Sequence, residues 1–378
     1  MTSRPTRYDL GLEELAPLLE GEPAFRAQQL YHGLYRELAQ PSQLSALPKA
    51  LRERLARDAR LAAALELVAE RRADGGATTK WLFALHDGAE IETVLMHYER
   101  RSTACVSSQA GCAMGCSFCA TGQQGYTRQL SRGEILEQVV WAARAARATG
   151  RRLDHVVFMG MGEPLANYPN VLGATVGIVR DLGIAARHVT ISTVGIVPGI
   201  LRLAAEALQV NLAVSLHGAN DALRDELVPI NRRYGLSALM AACETYVAST
   251  HRRVSFEWAL IADKNDRRKD AIELAGLARP LRAHVNVIPL NPTRLGPSRG
   301  LVGSPPARVA AFCDALAELG VKVTVRQTRG QQIDAACGQL AAKGREELEL
   351  AGPEPRRRAL TTRAAAPAGS MELWPVVD

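Results

Sequence analysis

Long apolar runs are missing from this chain. No stretch of its 378 residues approaches the ~18 consecutive apolar positions that a membrane-spanning helix needs. The opening Met1 to Leu10 lacks the apolar centre of a secretion signal. A disulfide framework is missing too, because the seven cysteines are odd in number and three crowd into one loop. These absences point to a reducing, cytoplasmic setting with no membrane partner. What is present supports an ordinary core, since 47% of the residues are apolar. The net charge of +7 is compatible with a polyanionic partner and equally with plain solubility charge. The length suits one large domain plus a small one.

The crowded loop is Cys112-Ala-Met-Gly-Cys116-Ser-Phe-Cys119, a C-x3-C-x2-C pattern. Closed zinc sites want four ligands and usually C-x2-C pairs. Three thiolates on a short loop better suit a [4Fe–4S] cluster, with the remaining iron open to another ligand. Buried packing cysteines and a zinc site stay as alternatives.

Along the chain, residues 1–72 read as a small basic helical module. Leucines recur at three-to-four spacing from Leu12 to Leu55, and Lys49, Arg52 and Arg54 lie among them. The module fits RNA contact or a solvated packing domain. Residues 73–102 read as a β-hairpin extension, with strands at 80–85 and 90–96 and a turn at Asp87-Gly88. From 103 to 345 strands alternate with helices. The strands are expected at 103–108, 153–159, 188–194, 210–216, 253–261, 284–290 and 321–326. Helices fit 132–148, 170–181, 198–208, 237–249, 269–279 and 305–319, the first opened by a Ser131/Glu134 capping box. Repeated β–α units imply an α/β fold with a parallel sheet and right-handed crossovers. Its closure is an open or closed barrel, with functional groups at the C-terminal strand ends. The tail 346–378 is rich in Ala, Pro and Arg and is expected to be mobile.

Polar residues do fall at those strand ends. Met159-Gly-Met-Gly162-Glu163-Pro-Leu follows one strand, and its glycines would let a ligand approach the backbone. Ser192, Ser215-Leu216-His217 and Asn291 end three others. Each alone reads more readily as a turn or cap than as a ligand, but together they make a ribose and carboxylate site. Cys243 and Cys313 sit in apolar helical patterns and read as core. Cys105 precedes the cluster loop and Cys337 follows the last strand; by themselves both read as ordinary cysteines.

The Cys112–Cys119 loop, with Phe118 before its last cysteine, resembles the signature of the radical S-adenosylmethionine (SAM) superfamily. Cys105-Val-Ser-Ser-Gln-Ala-Gly-Cys112, Met-Gly-Met-Gly-Glu163-Pro-Leu, Ser215-Leu-His217 and Arg329-Gly-x3-Asp-Ala-Ala-Cys337-Gly-Gln-Leu resemble the RlmN/Cfr family of RNA adenine methyltransferases over roughly residues 20–345. The resemblance implies a radical SAM partial (β/α)6 barrel with a small N-terminal helical domain. It implies a [4Fe–4S] cluster on Cys112, Cys116 and Cys119, and SAM, two per turnover. Gly162, Glu163, Ser192, Ser215, Leu216, His217 and Asn291 would hold SAM. The implied substrate is an adenine of 23S rRNA and, in the RlmN branch, adenine 37 of tRNA. Cys337 would carry the methyl group and form a covalent adduct with RNA. Cys105 would release that adduct by pairing with Cys337 in a disulfide, and Glu92 would accept a proton. An external electron donor is implied, and a monomer is expected.

The stretch Thr293–Ser304 departs from the family pattern, which bears on Asn291, and Arg356-Arg357-Arg358 in the tail has no family counterpart. Two rival readings stand beside this one, the first within the family and the second from another class. A Cfr-like enzyme would methylate C8 instead of C2, and a non-catalytic RNA-binding protein would carry a structural metal.

Overall fold

Serine before a helical pattern with glutamate three positions on should start a helix, and it does. In the computed structural model Ser131 Oγ accepts the Glu134 N–H at 3.1 Å, while a Glu134 carboxylate oxygen accepts the Ser131 N–H at 2.8 Å. The helix so opened runs Arg132–Ala148 and buries one apolar face. The structure describes residues 5–293 and 295–341. The tail 346–378, with its arginine run, lies outside the described residues.

The chain begins with α1 (Leu12–Leu15), α2 (Phe25–Tyr35) and α3 (Lys49–Arg57), joined by short 3-10 turns. Leu15, Leu30, Leu34, Leu51 and Leu55 belong to one continuous apolar cluster with the rest of the molecule. Two links, one buried and one partly buried, tie the segment before α1 to the helix at 132–148. Arg7 pairs with Glu137 at 3.1 Å, and Asp9 accepts the Gly133 N–H at 2.6 Å at the helix start, where negative charge is favoured.

The reading of helix through residue 72 needs correction. Residues Glu66–Ala73 form strand β1, antiparallel to β2 (Thr78–Ala84). Glu66, Glu70, Arg71 and Arg72 make β1 a charged edge strand, which discourages pairing with another chain. The hairpin is as read: β2 pairs with β3 (Glu90–His97), and β3 with β4 (Ser102–Cys105).

The strand expected at 103–108 ends early. β4 stops at Cys105, and β5 (Gln109–Gly111) forms a separate ladder with β6 (Tyr126–Gln129), with α4 (Ala120–Gln124) between them. This ladder closes the base of the cysteine loop. Then come α5 (Arg132–Ala148), β7 (His155–Phe158), α6 (Tyr168–Arg180), β8 (Val189–Thr193), α7 (Val197–Ala204) and β9 (Asn211–Ser215). An unanticipated short helix, α8 (Asp221–Leu227), precedes α9 (Leu236–Thr250). β10 (Val254–Leu260), α10 (Arg268–Ala278), β11 (His284–Pro289), α11 (Pro306–Glu318) and β12 (Lys322–Val325) complete the series.

Strands β4, β7, β8, β9, β10, β11 and β12 are parallel neighbours in that order. Six strand–helix units and a seventh strand therefore build the barrel wall. The two edges of the ten-stranded sheet, β1 and β12, do not pair, so the barrel is partial. Gly150, Gly183 and Gly320 follow helices with φ of +71°, +75° and +77°, the left-handed turn that ends a helix. Cys243 and Cys313 are buried core thiols, as read. Among the described residues no helix is long and apolar enough to cross a membrane.

Candidate active site

Parallel pairing places the C-terminal ends of β4 and β7 to β12 on one side, and a cavity opens there. It holds about 970 Å³ of empty space, open mouth included.

The cysteine loop forms one wall. Gly111 has φ +74°, and a Cβ there would lie 2.1 Å from the Gly125 carbonyl oxygen, so only glycine closes the loop. That carbonyl accepts the Cys112 N–H at 2.7 Å. Cys112, Cys116 and Cys119 all line the cavity. Burial pushes the Cys112 thiol up to about 12 and the Cys116 thiol well above the ordinary range, and the neighbouring thiols add to the effect. Thiolates here need a strong positive partner, and metal ligation deprotonates a thiol outright. Among the described residues no three His, Cys, Asp or Glu side chains are placed to hold a single metal ion. A cluster asks for less convergence, because each thiolate binds its own iron. The loop fits a [4Fe–4S] group.

The turn after β7 forms the adjoining wall. Glu163 is buried, and its two carboxylate oxygens accept the Leu165 N–H at 3.0 Å and the Val194 N–H at 2.8 Å. Burial raises its pKa to about 7, against the lowering effect of hydrogen bonds from Val194, Thr193 and Leu165. A cationic amine in the cavity would draw this carboxyl fully into its ionised form. Gly162 lines the cavity with φ +101°, but a Cβ there would fall 2.6 Å from Gln109 Cβ. The glycine makes room for Gln109, whose Oε1 accepts the Glu163 N–H at 2.7 Å.

Ser192, Ser215, His217 and Asn291 come together around the same space. Leu216 does not: its side chain is fully buried in the core, and its N–H donates to the Glu257 carbonyl at 3.1 Å. The alternation of a strand sends it away from its neighbours. His217 Nδ1 accepts the Ala259 N–H at 3.0 Å, which assigns its proton to Nε2. Burial holds its pKa near 3, so the ring is neutral, and Phe118 packs edge-on at 4.5 Å.

A second, smaller cavity adjoins the first. Cys105 lines it, and Cys337 lines both. The Cys337 segment is strapped across the mouth. Asn291 Nδ2 donates to the Cys337 carbonyl at 3.1 Å, Ala120 N–H to that of Gly338 at 2.8 Å, and Thr121 Oγ1 to that of Leu340 at 2.5 Å. All seven cysteines are free thiols. The Cys105–Cys337 disulfide implied by the resemblance is thus absent from this structure. Burial raises the Cys105 thiol to about 12, the Cys337 charge adds to this, and Arg326 opposes it.

Glu92 lines neither cavity. Its carboxylate pairs with Lys80 Nζ at 2.7 Å and accepts the Ala341 N–H at 2.9 Å, and Lys80 also donates to the Asp334 carbonyl at 3.1 Å. The pair ties the hairpin to the strap that carries Cys337.

Sequence reasoning missed Glu257 and Arg326, which both line the main cavity. Arg326 Nη1 stands 3.9 Å from a Glu257 carboxylate oxygen and 3.4 Å from Met159 Sδ, while Asn286 Nδ2 donates to Glu257 at 2.7 Å. A signal existed for Glu257, since a lone carboxylate interrupts the apolar strand Val254–Leu260. Arg326 carried none beyond its place after the last strand.

Known proteins share these features. The radical SAM superfamily model matches residues 106–275. A protein described as a probable dual-specificity RNA methyltransferase RlmN, from Chloroflexus aurantiacus, is 51% identical over 359 residues, covering 91% of this chain and 94% of that one. One of the same description from Moorella thermoacetica is 50% identical over 91% of this chain and 99% of its own. The crystal structure of a radical SAM methyltransferase from Sphaerobacter thermophilus superposes with a TM-score of 0.86 at 49% identity, covering 90% of this chain and all of that one. Radical SAM enzymes employ a [4Fe–4S] cluster and SAM, the two groups that the cysteine loop and its cavity suit. The chain belongs to the RlmN family of radical SAM enzymes that methylate RNA.

Proposed function

We propose that the enzyme methylates C2 of an adenine in 23S rRNA and of adenine 37 in tRNA, using Cys337 as the carrier of the carbon. C2 lies between two ring nitrogens and is too electron-poor to attack a methyl donor, so a direct polar transfer fails. The reading rests on one observation: Cys337 borders both the cavity at the barrel mouth and the cavity that holds Cys105.

Cys112, Cys116 and Cys119 would hold the cluster. Glu163 would hold the amino group of SAM, with Ser192, Ser215, His217 and Asn291 around its ribose and carboxylate. Gly162 acts through Gln109 and the turn. When bound, the cluster and SAM would supply radical chemistry that removes a hydrogen atom, and Cys337, carrying a methyl group received earlier from another SAM, would give up that hydrogen. The methylene left on Cys337 would bond to C2 and join protein to RNA. Release by Cys105 would exchange the Cys337 S–C bond for a Cys105–Cys337 disulfide. The methylene would take up a proton, the C2 hydrogen would leave as a proton, and one electron would pass back to the cluster. Asn291, on the Cys337 carbonyl, keeps that sulfur at the boundary of the two cavities. Burial raises the Cys337 thiol, and the Arg326 charge opposes that rise and favours the thiolate, the form that accepts a methyl group. Cys105 acts afterwards, on the adduct. Glu92, through Lys80 and Ala341, anchors the strap. The enzyme would work in the cytoplasm as a monomer with an external one-electron donor.

The test is a denaturing gel of Cys105→Ala protein with labelled RNA, SAM and reductant. Label should stay with the protein, map to Cys337, and be missing in Cys337→Ala. Wild-type product should be 2-methyladenosine by mass spectrometry. A folded Cys105→Ala enzyme that cleaves SAM without retaining label refutes the carrier role, and 8-methyladenosine refutes the C2 assignment.

A further inference from the structure

Arg224 is a large, fully buried charged side chain that the chemistry above leaves unused. It projects from α8 beneath the cavity floor. Its Nε donates to the Leu216 carbonyl at 3.2 Å, and Nη2 to those of Val194 at 2.6 Å and Ser215 at 3.4 Å. Nη1 donates to Asn231 Oδ1 at 2.7 Å. Every one of these acceptors is neutral. Asp221 and Asp225 are reached only through Asn231, whose amide donates to both. A buried cation without a directly paired anion is costly, and structures keep one where an anion belongs nearby.

The place for that anion adjoins α8. Ser117 N–H, inside the cysteine loop, donates to the Leu227 carbonyl at the end of α8 at 3.3 Å. Leu227 and Val228 share an apolar cluster with Cys116. A cluster held by three thiolates is anionic, and its one-electron reduction adds negative charge with no bond made or broken in the protein.

We propose that Arg224 is the fixed counter-cation of this cluster, a positioning residue that raises its reduction potential. The reduced, more negative form gains more from the guanidinium than the oxidised form does, and the dry surroundings limit screening. The three carbonyls that Arg224 gathers keep the cation in place and hold the ends of β8 and β9. The inference rests on the assignment of Cys112, Cys116 and Cys119 to the cluster.

The experiment compares full-length wild type, Arg224→Gln and Arg224→Lys, reconstituted without oxygen. Iron content and circular dichroism are recorded, then an EPR-monitored redox titration. In Arg224→Gln the equilibrium constant for reduction should fall about tenfold or more, which is about 59 mV to the negative for one electron. Arg224→Lys keeps the charge and should recover most of the shift despite losing the fork of hydrogen bonds. Asp225→Asn removes a nearby negative charge and should move the potential the opposite way. That variant keeps the test alive if Arg224→Gln fails to assemble a cluster. An iron-loaded Arg224→Gln with an unshifted potential overturns the proposal. So does an equal fall in the Lys and Gln variants, or no upward shift in Asp225→Asn. Wild-type protein that takes up no iron and gives no EPR signal would instead defeat the cluster assignment itself.

Discussion

Lys80→Met should destabilise the protein in a way that depends on pH. The Lys80 and Glu92 side chains are 8% and 4% exposed and stand 2.7 Å apart. With an effective dielectric of about 20, unit charges ~4 Å apart attract by about 4 kcal/mol, which offsets the cost of burying both. Removing Lys80 leaves Glu92, among the described residues, with the Ala341 N–H alone, and breaking one side of a buried pair costs ~3–5 kcal/mol. Burial already raises the Glu92 pKa although Lys80 lowers it, so the variant raises it further. A carboxyl whose folded pKa lies above its unfolded value binds its proton more tightly when folded. Its penalty is absent below the unfolded pKa and grows as pH rises through the folded one. The deficit of Lys80→Met should therefore be largest near pH 8 and shrink towards pH 5.

Urea unfolding of wild type and variant at both pH values reads this directly. Hydrogen exchange across residues 326–341 should rise in the variant, because Glu92 and Lys80 each hold a strap backbone group. Adding Glu92→Leu to Lys80→Met should restore much of the loss, since an apolar pair carries no buried charge. A deficit that is the same at pH 5 and pH 8, or one that Glu92→Leu fails to relieve, would refute the reasoning.

Gly162→Ala should disrupt the fold of the turn before any ligand is added, because its Cβ meets Gln109 at 2.6 Å; a variant with wild-type thermal stability and impaired SAM binding would return Gly162 to a purely ligand-facing role. The exposed Lys49 and Arg57 of α3 should contribute to RNA affinity through counterion release. Changing both to Ala should flatten the plot of log affinity against log salt by about 0.7–0.9 for each phosphate that is no longer neutralised. An unchanged slope would move the RNA surface away from α3. Deleting residues 1–72 is a poor test of the same idea, since β1 and the shared core would be lost with them.

What the sequence by itself determined was local in origin. The C-x3-C-x2-C loop is short enough that its spacing already limits what the thiols can hold. The six crossovers show as alternating periods of apolar residues, and their ends as a serine cap at Ser131 or glycines such as Gly150 and Gly320. Glu163, Ser192, Ser215, His217 and Asn291 are legible as cavity-lining residues because parallel strands present the same end to one mouth, whereas Cys337 stands out only through the family resemblance. Periodicity misleads at residues 66–72, where charged side chains blur the two-residue alternation of a strand. Tertiary structure decided whatever depends on partners distant in the chain. Glu92 meets Lys80 across a hairpin and Ala341 across most of the protein. Gly162 yields its space to Gln109 from another strand, and Leu216 turns inward between two residues that do not. Arg224 acquires its interest only when α8 lies against the cysteine loop, because the cost of a buried charge is set by what surrounds it and not by its neighbours in sequence.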